Sequence, residues 1–231
     1  KLWEYRIMLK VRGIPTLLMK NHGLVKGVMF DSSRRVGPVL PTVKIYNRRD
    51  VDELIIVDIL GQEKNGILDY ESFFEFSQEC SVPLTIGGGI NSHEQVQKLL
   101  SVGADKITIN SSLYTNPQLI LEIVKKYGSQ CLVGSIDVRK TDESDWECFS
   151  FNGTKKTGKN VLEWAKFIEG QGVGEIILTS IDRDGTMKGY DIKLIETIVS
   201  KIGVPIIASG GAGNYQHMVD AILQGGASAV A

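Results

Sequence analysis

Short apolar runs alternate along this chain with stretches where apolar residues return every three or four positions. Leu54-Ile55-Ile56-Val57, Leu84-Thr85-Ile86, Ile107-Thr108-Ile109 and Ile176-Ile177-Leu178 are runs of this first kind. Such runs suit strands covered on both faces. Tyr70, Phe73, Phe74 and Phe76 instead mark one packing face of a helix. The alternation predicts strands at 10–17, 53–59, 82–86, 105–109, 132–136 and 175–179, a seventh from 204 and an eighth from 227. Helices are expected at 40–49, 70–79, after 91 or 92, from 117, and at 160–170, 192–201 and 215–223. Residues 20–38 read as a long polar loop. Residues 140–155, with Trp146, Phe149 and Phe151, read as a small hairpin.

The pattern occurs twice. Val204-Pro205-Ile206-Ile207-Ala208-Ser209-Gly210-Gly211-Ala212-Gly213 has a counterpart 122 positions earlier, Val82-Pro83-Leu84-Thr85-Ile86-Gly87-Gly88-Gly89-Ile90. The strand at Glu53 matches that at Glu175 at the same offset, and Gly103-Ala104 lines up with Gly226-Ala227 after a one-residue slip. Two halves of alternating strands and helices imply a duplicated βα architecture. The length of 231 residues suits a single (βα)8 barrel, with half-barrels at about 8–127 and 128–231. Residues 1–7 precede Met8 as an extension of unassigned origin. The eighth unit is expected to lack its helix, leaving an open barrel edge.

Glycines at Gly88, Gly89, Gly210 and Gly211 let the chain turn tightly before a helix, whose N-terminal N–H groups favour a phosphate. Glycine in such a turn also serves packing alone. Two matching turns across one barrel mouth fit a small ligand with a phosphate at each end.

The net charge of −1 argues against a nucleic-acid partner. No apolar run approaches the ~18 residues of a membrane span, and no signal-peptide pattern is evident. Cys80, Cys131 and Cys148 have no metal-ligand spacing, and the three histidines are scattered, so neither metal nor cofactor is expected. Few, unpaired cysteines point to a reducing, cytoplasmic setting.

Working residues of such barrels sit at the C-terminal ends of strands. Asp137 breaks an apolar strand there, where a carboxylate can move protons. Asn110 and Ser111 end the fourth strand. Asp182, Asp184 and Gly185 follow the sixth, where turn chemistry is an equal reading. Aligning the first strand on the fifth puts Leu18 over Asp137, so the acid expected from symmetry is missing. At the opposite end, Arg12, Glu53, Lys106 and Glu175 start strands. They are either ordinary surface charges or a ring across the barrel floor.

Together, Leu84-Thr85-Ile86-Gly87-Gly88-Gly89-Ile90, Leu178-Thr179-Ser180-Ile181-Asp182-Arg183-Asp184-Gly185-Thr186, Gly189-Tyr190-Asp191 and the 206–213 stretch resemble the HisF family. HisF is the cyclase subunit of imidazole glycerol phosphate synthase. The resemblance covers nearly the whole chain from Met8. It implies a barrel that docks a HisH-type glutaminase at its floor and conducts ammonia to a bisphosphorylated aminoimidazole nucleotide at the mouth. By that resemblance, Gly88, Gly89, Asn110 and Ser111 hold one phosphate, and Asp184, Gly185, Gly210 and Gly211 serve the other. Asp137 is an acid–base aspartate, and Lys26 is the lysine of a mobile first loop. Arg12, Glu53, Lys106 and Glu175 match the ammonia gate, and Asp105 meets the glutaminase.

The departure is Leu18, where HisF cyclases carry a second catalytic aspartate. Loss of a general acid or base costs about 10²–10⁴-fold in rate, so impaired cyclisation is expected. A divergent HisF-like branch accompanies surface-polysaccharide clusters, with ammonia passing to a third protein, an amidotransferase that makes acetamidino sugars. The alternative is a true cyclase of histidine biosynthesis.

Overall fold

The computed structural model describes residues 10–61, 67–142 and 145–231, and the extension at 1–7 lies outside the described residues. The first strand is two stretches, β1 (Arg12–Gly13) and β2 (Thr16–Lys20), separated by Ile14 and Pro15. β3 (Gly23–Val28) and β4 (Asp31–Pro38) follow, then α1 (Val39–Arg48). The chain continues with β5 (Leu54–Asp58), α2 (Tyr70–Glu79), β6 (Leu84–Gly87), α3 (His93–Ser101) and β7 (Lys106–Ile109). After β7 come a one-turn helix, α4 (Ser111–Thr115), and α5 (Gln118–Tyr127).

The second half repeats the plan. β8 (Leu132–Asp142), β9 (Asp145–Ser150) and β10 (Lys155–Asn160) precede α6 (Val161–Gln171) and β11 (Glu175–Ser180). α7 (Ile192–Val199), β12 (Ile206–Ser209), α8 (Tyr215–Leu223) and β13 (Ala229–Val230) complete it.

The fold is a (βα)8 barrel, and its sheet closes. β2 pairs with β5 in parallel, and parallel pairs lead on through β6, β7, β8, β11 and β12 to β13. β13 pairs with β1, and Ile14 N–H donates to the Val230 carbonyl at 2.9 Å. The expected open edge is therefore absent. Pro15 has no N–H to give, and its carbonyl still accepts the Ile55 N–H at 3.0 Å.

Residues 20–38 are a second correction: they form strands rather than a loop. β3 pairs antiparallel with β2 and with β4. β9 pairs in the same sense with β8 and β10, so the two hairpins are counterparts. Their turns place Met29 and Phe30 at φ 53° and 64°, and Phe151 and Asn152 at 53° and 55°, again 122 positions apart.

Each hairpin crosses to the other half. Met29 N–H donates to the Asp184 carbonyl at 2.9 Å, after β11. Asn152 Nδ2 donates to the Ile59 carbonyl at 2.8 Å, after β5.

The core has two compartments, as strand alternation requires. Outward-facing residues such as Leu17, Met19, Leu54 and Ile56 pack against the helices. Inward-facing Ile14, Ile55, Val133, Ile177, Ile207 and Ala229 form a separate cluster inside the barrel.

Candidate functional site

The barrel floor carries a closed square of ion pairs. Arg12 Nη1 lies 2.5 Å from Glu53 Oε1 and 2.7 Å from Glu175 Oε1. Lys106 Nζ lies 2.9 Å from Glu53 Oε2 and 3.1 Å from Glu175 Oε2. Each cation touches both carboxylates, so the charges alternate around the axis. All four side chains are at least four-fifths buried, Glu53 the most at 9% exposure. Burial works against the Arg12 charge, but the two carboxylates outweigh it and raise its pKa. The surface-charge reading of these four positions is set aside. Two residues further along their strands, Ile14, Ile55, Thr108 and Ile177 face the same interior. Asp105 is exposed beside the ring, where its carboxylate accepts the Leu84 N–H at 2.8 Å.

At the mouth, Asp137 is buried near the end of the barrel portion of β8. Asn110 Nδ2 donates to its Oδ2 at 3.1 Å and to the Ser135 carbonyl at the same distance. Ser135 Oγ lies 3.4 Å from the other oxygen. Burial pushes the Asp137 carboxyl up to about 7, against hydroxyl contacts from Thr179 and Ser135 that favour its ionised form. Such a group can give or take a proton near neutral pH.

Sequence reasoning had not picked out Thr179 and Ser135 as its partners. Ser135 was findable as the preceding inward position on the strand, and Thr179 stands opposite Asp137 in the β8–β11 register.

The register makes Leu18 the counterpart of Asp137. Leu18 stands opposite Val57, as Asp137 stands opposite Thr179. Its other cross-strand partner is Val25, matching Phe149 in the second half. Asp58, the neighbouring acid, pairs with outward-facing Met19, and its Oδ1 accepts the Leu60 N–H at 2.9 Å. It lies on the opposite face of the sheet from Leu18. One side of the mouth is therefore carboxylate and hydroxyl, the other aliphatic.

The glycine turns have a steric reason. A Cβ on Gly88 would lie 2.1 Å from the Asp58 carbonyl oxygen, and one on Gly210 2.6 Å from that of Ser180. Gly89 and Gly211 press in the same way on Gly61 and Gly189. The following helices are partly capped by their own side chains. Ser92 Oγ accepts the Gln95 N–H in a capping box, and Asn214 Oδ1 accepts the His217 N–H.

Near them, Ser111 Oγ accepts the Phe151 N–H at 3.0 Å. Asp184 is half-buried, with its carboxyl raised by burial, and Gly185 lies under the first hairpin at Gly27. Asp182 has a structural role, taking Arg139 Nη1 at 3.3 Å and the Lys140 N–H at 2.8 Å. Lys26 is exposed on β3, opposite Arg34. Among the described residues no group of His, Cys, Asp and Glu is arranged to hold a metal ion. No helix among them is long and apolar enough to cross a membrane.

Comparison with known proteins agrees with this geometry. The family model described as histidine biosynthesis protein matches residues 12–231. A relative from Pseudomonas aeruginosa, provisionally named imidazole glycerol phosphate synthase subunit hisF2, is 44% identical over 224 residues, covering 97% of this chain and 89% of its own. The duplicated barrel, its floor ring and these matches together place the chain in the histidine biosynthesis protein family, as a HisF-type member.

Proposed function

We propose that this chain is the barrel subunit of a glutamine-dependent complex and passes ammonia along its axis. A HisH-type glutaminase docks at the floor beside Asp105. Ammonia enters through the square of Arg12, Glu53, Lys106 and Glu175, crosses the apolar layer of Ile14, Ile55, Ile177 and Ile207, and emerges at Asp137. The observation that carries this reading is the closed ring of four pairs sitting directly beneath an apolar interior. A buried ring of this kind contributes little stability compared with apolar packing, so a transport role gives a reason for its presence.

The same reading assigns the mouth. A ligand phosphate meets Gly88, Gly89, Asn110 and Ser111, and a second meets Asp184, Gly185, Gly210 and Gly211, with Lys26 above. Leu18 leaves one proton-transfer group where cyclisation needs two. The ammonia accordingly supplies a separate amidotransferase that makes acetamidino sugars for surface polysaccharide.

The test is turnover of the aminoimidazole nucleotide by the purified chain with free ammonium salt, beside co-purification with a HisH-type glutaminase. Slow or absent cyclisation with a stable complex is the expected outcome. Rapid cyclisation would overturn the assignment. One observation favours a second reading, a true cyclase of histidine biosynthesis: Asp137 is already tuned to about 7 for acid–base work. Growth of a histidine auxotroph carrying this chain would decide for it.

A further inference from the structure

Outside the mouth, on the flank between α4, the β9–β10 hairpin and α6, lies a cavity of about 480 Å³. That is within the size range of small-ligand sites. One wall is a continuous aromatic stack. Tyr114 and Trp164 lie 4.4 Å apart at 14°, and Trp164 and Phe167 5.0 Å apart at 20°. Phe167, the end of the stack, is 40% exposed and lines the cavity. The lining also carries Lys155, Lys156 and Lys159 with one carboxylate, Glu163, and Lys155 Nζ lies 5.4 Å from the centre of the Phe151 ring. Lys156 is partly engaged by Glu147 at 3.7 Å. Within the stack, Tyr114 Oη and Trp164 Nε1 are both buried.

We infer that this flank cavity is a second binding site, separate from the barrel mouth, for a small ligand that joins a flat ring to a phosphate, the nucleoside monophosphate class. The ring lies on Phe167, where base–aromatic stacking is favourable and tolerant of base identity. The phosphate reaches Lys155 and Lys159, whose charges exceed the single acid facing them. None of the mouth residues lines this cavity.

The probes are UMP and AMP, with the matching nucleosides and inorganic phosphate as separate arms, titrated calorimetrically into the full chain. Binding of a nucleotide with Kd below about 1 mM is expected, with nucleoside and phosphate each about tenfold weaker. The double charge reversal Lys155→Glu/Lys159→Glu, and separately Phe167→Ala, should each weaken nucleotide binding about tenfold. The lysine pair is exposed, so its melting temperature should hold; Phe167→Ala loses a stacking partner and should melt somewhat lower while still unfolding cooperatively, which shows that it is folded. Asn110→Asp, which adds a negative charge at the mouth, should leave this affinity unchanged. Absence of nucleotide binding at that concentration would overturn the proposal. So would an affinity that Asn110→Asp abolishes and the flank substitutions leave alone, since the nucleotide would then sit in the mouth.

Discussion

Asp137 shows how far a single residue can be read from position alone. A carboxylate closing an apolar strand is legible as a candidate acid or base. Its tuning is not, because that depends on burial and on Asn110 and Thr179 arriving from neighbouring elements, beside Ser135 of its own strand. The raised carboxyl has a definite consequence for stability. Asp137 is raised from 3.8 to about 7, so the folded state holds a proton that the unfolded state releases. Its contribution is fully present below pH 3.8, falls as pH rises toward 7, and is lost above that. Asp137→Asn should therefore gain stability relative to the parent between pH 4 and pH 7, then level off, by a few kcal/mol on the order set by such a shift. Urea unfolding of both proteins across that range measures it.

Leu18→Asp makes the complementary test. A carboxylate opposite Val57 and Val25 should lower stability by about 1–3 kcal/mol at neutral pH. On the reading above, it should also raise cyclisation with free ammonia by about 10²-fold or more.

At the scale of elements, the helices and parallel strands follow the apolar pattern closely, because each buries a face that its sequence marks. The first hairpin does not, whereas the second is legible from Trp146, Phe149 and Phe151. β3 and β4 carry Lys26, Asp31, Arg34 and Arg35, and these charges outweigh the short apolar pair Leu24-Val25 that β3 buries. Their strand character comes from pairing with β2 and from docking on the loop after β11. The turn at Met29 and Phe30 is also unlike the Asn-Gly favoured at a left-handed pair.

Phe30 is held by packing on Gly153, where an added Cβ would lie 2.9 Å from its ring. Met29 is exposed and has no such compensation. Met29→Asn should raise stability by about 0.5–1 kcal/mol, read as a higher melting temperature with the fold unchanged. The glycine turns are the opposite case. Their presence is legible, but the sequence left phosphate binding and packing equally open. The contacts with Asp58 and Ser180 supply the packing reason, one that any bound phosphate would share.

For the whole molecule, the floor ring is the feature most open to experiment. Lys106→Met removes one corner and leaves Glu53 and Glu175 with Arg12 alone. A loss of about 2 kcal/mol at neutral pH is expected, less than for a fully buried pair because the ring keeps some solvent access. In complex with the glutaminase, the same variant should lose glutamine-dependent transfer while keeping activity with free ammonia. Equal loss with both nitrogen sources would speak against a conduit.

By itself, the sequence determined the barrel, its internal duplication and the strand ends that bear Asp137 and Leu18; for Arg12, Glu53, Lys106 and Glu175 it left surface charges and a floor ring both open. The first three follow from local periodicity and from a repeat offset that any reader can count. Only the tertiary structure decided that the four charges meet in one ring, that the sheet closes through β1 and β13, that residues 20–38 form a hairpin, and that burial raises the Asp137 carboxyl to about 7. Each of these depends on distances between residues far apart in the chain, and on how much water is excluded where they meet. No local pattern encodes those quantities.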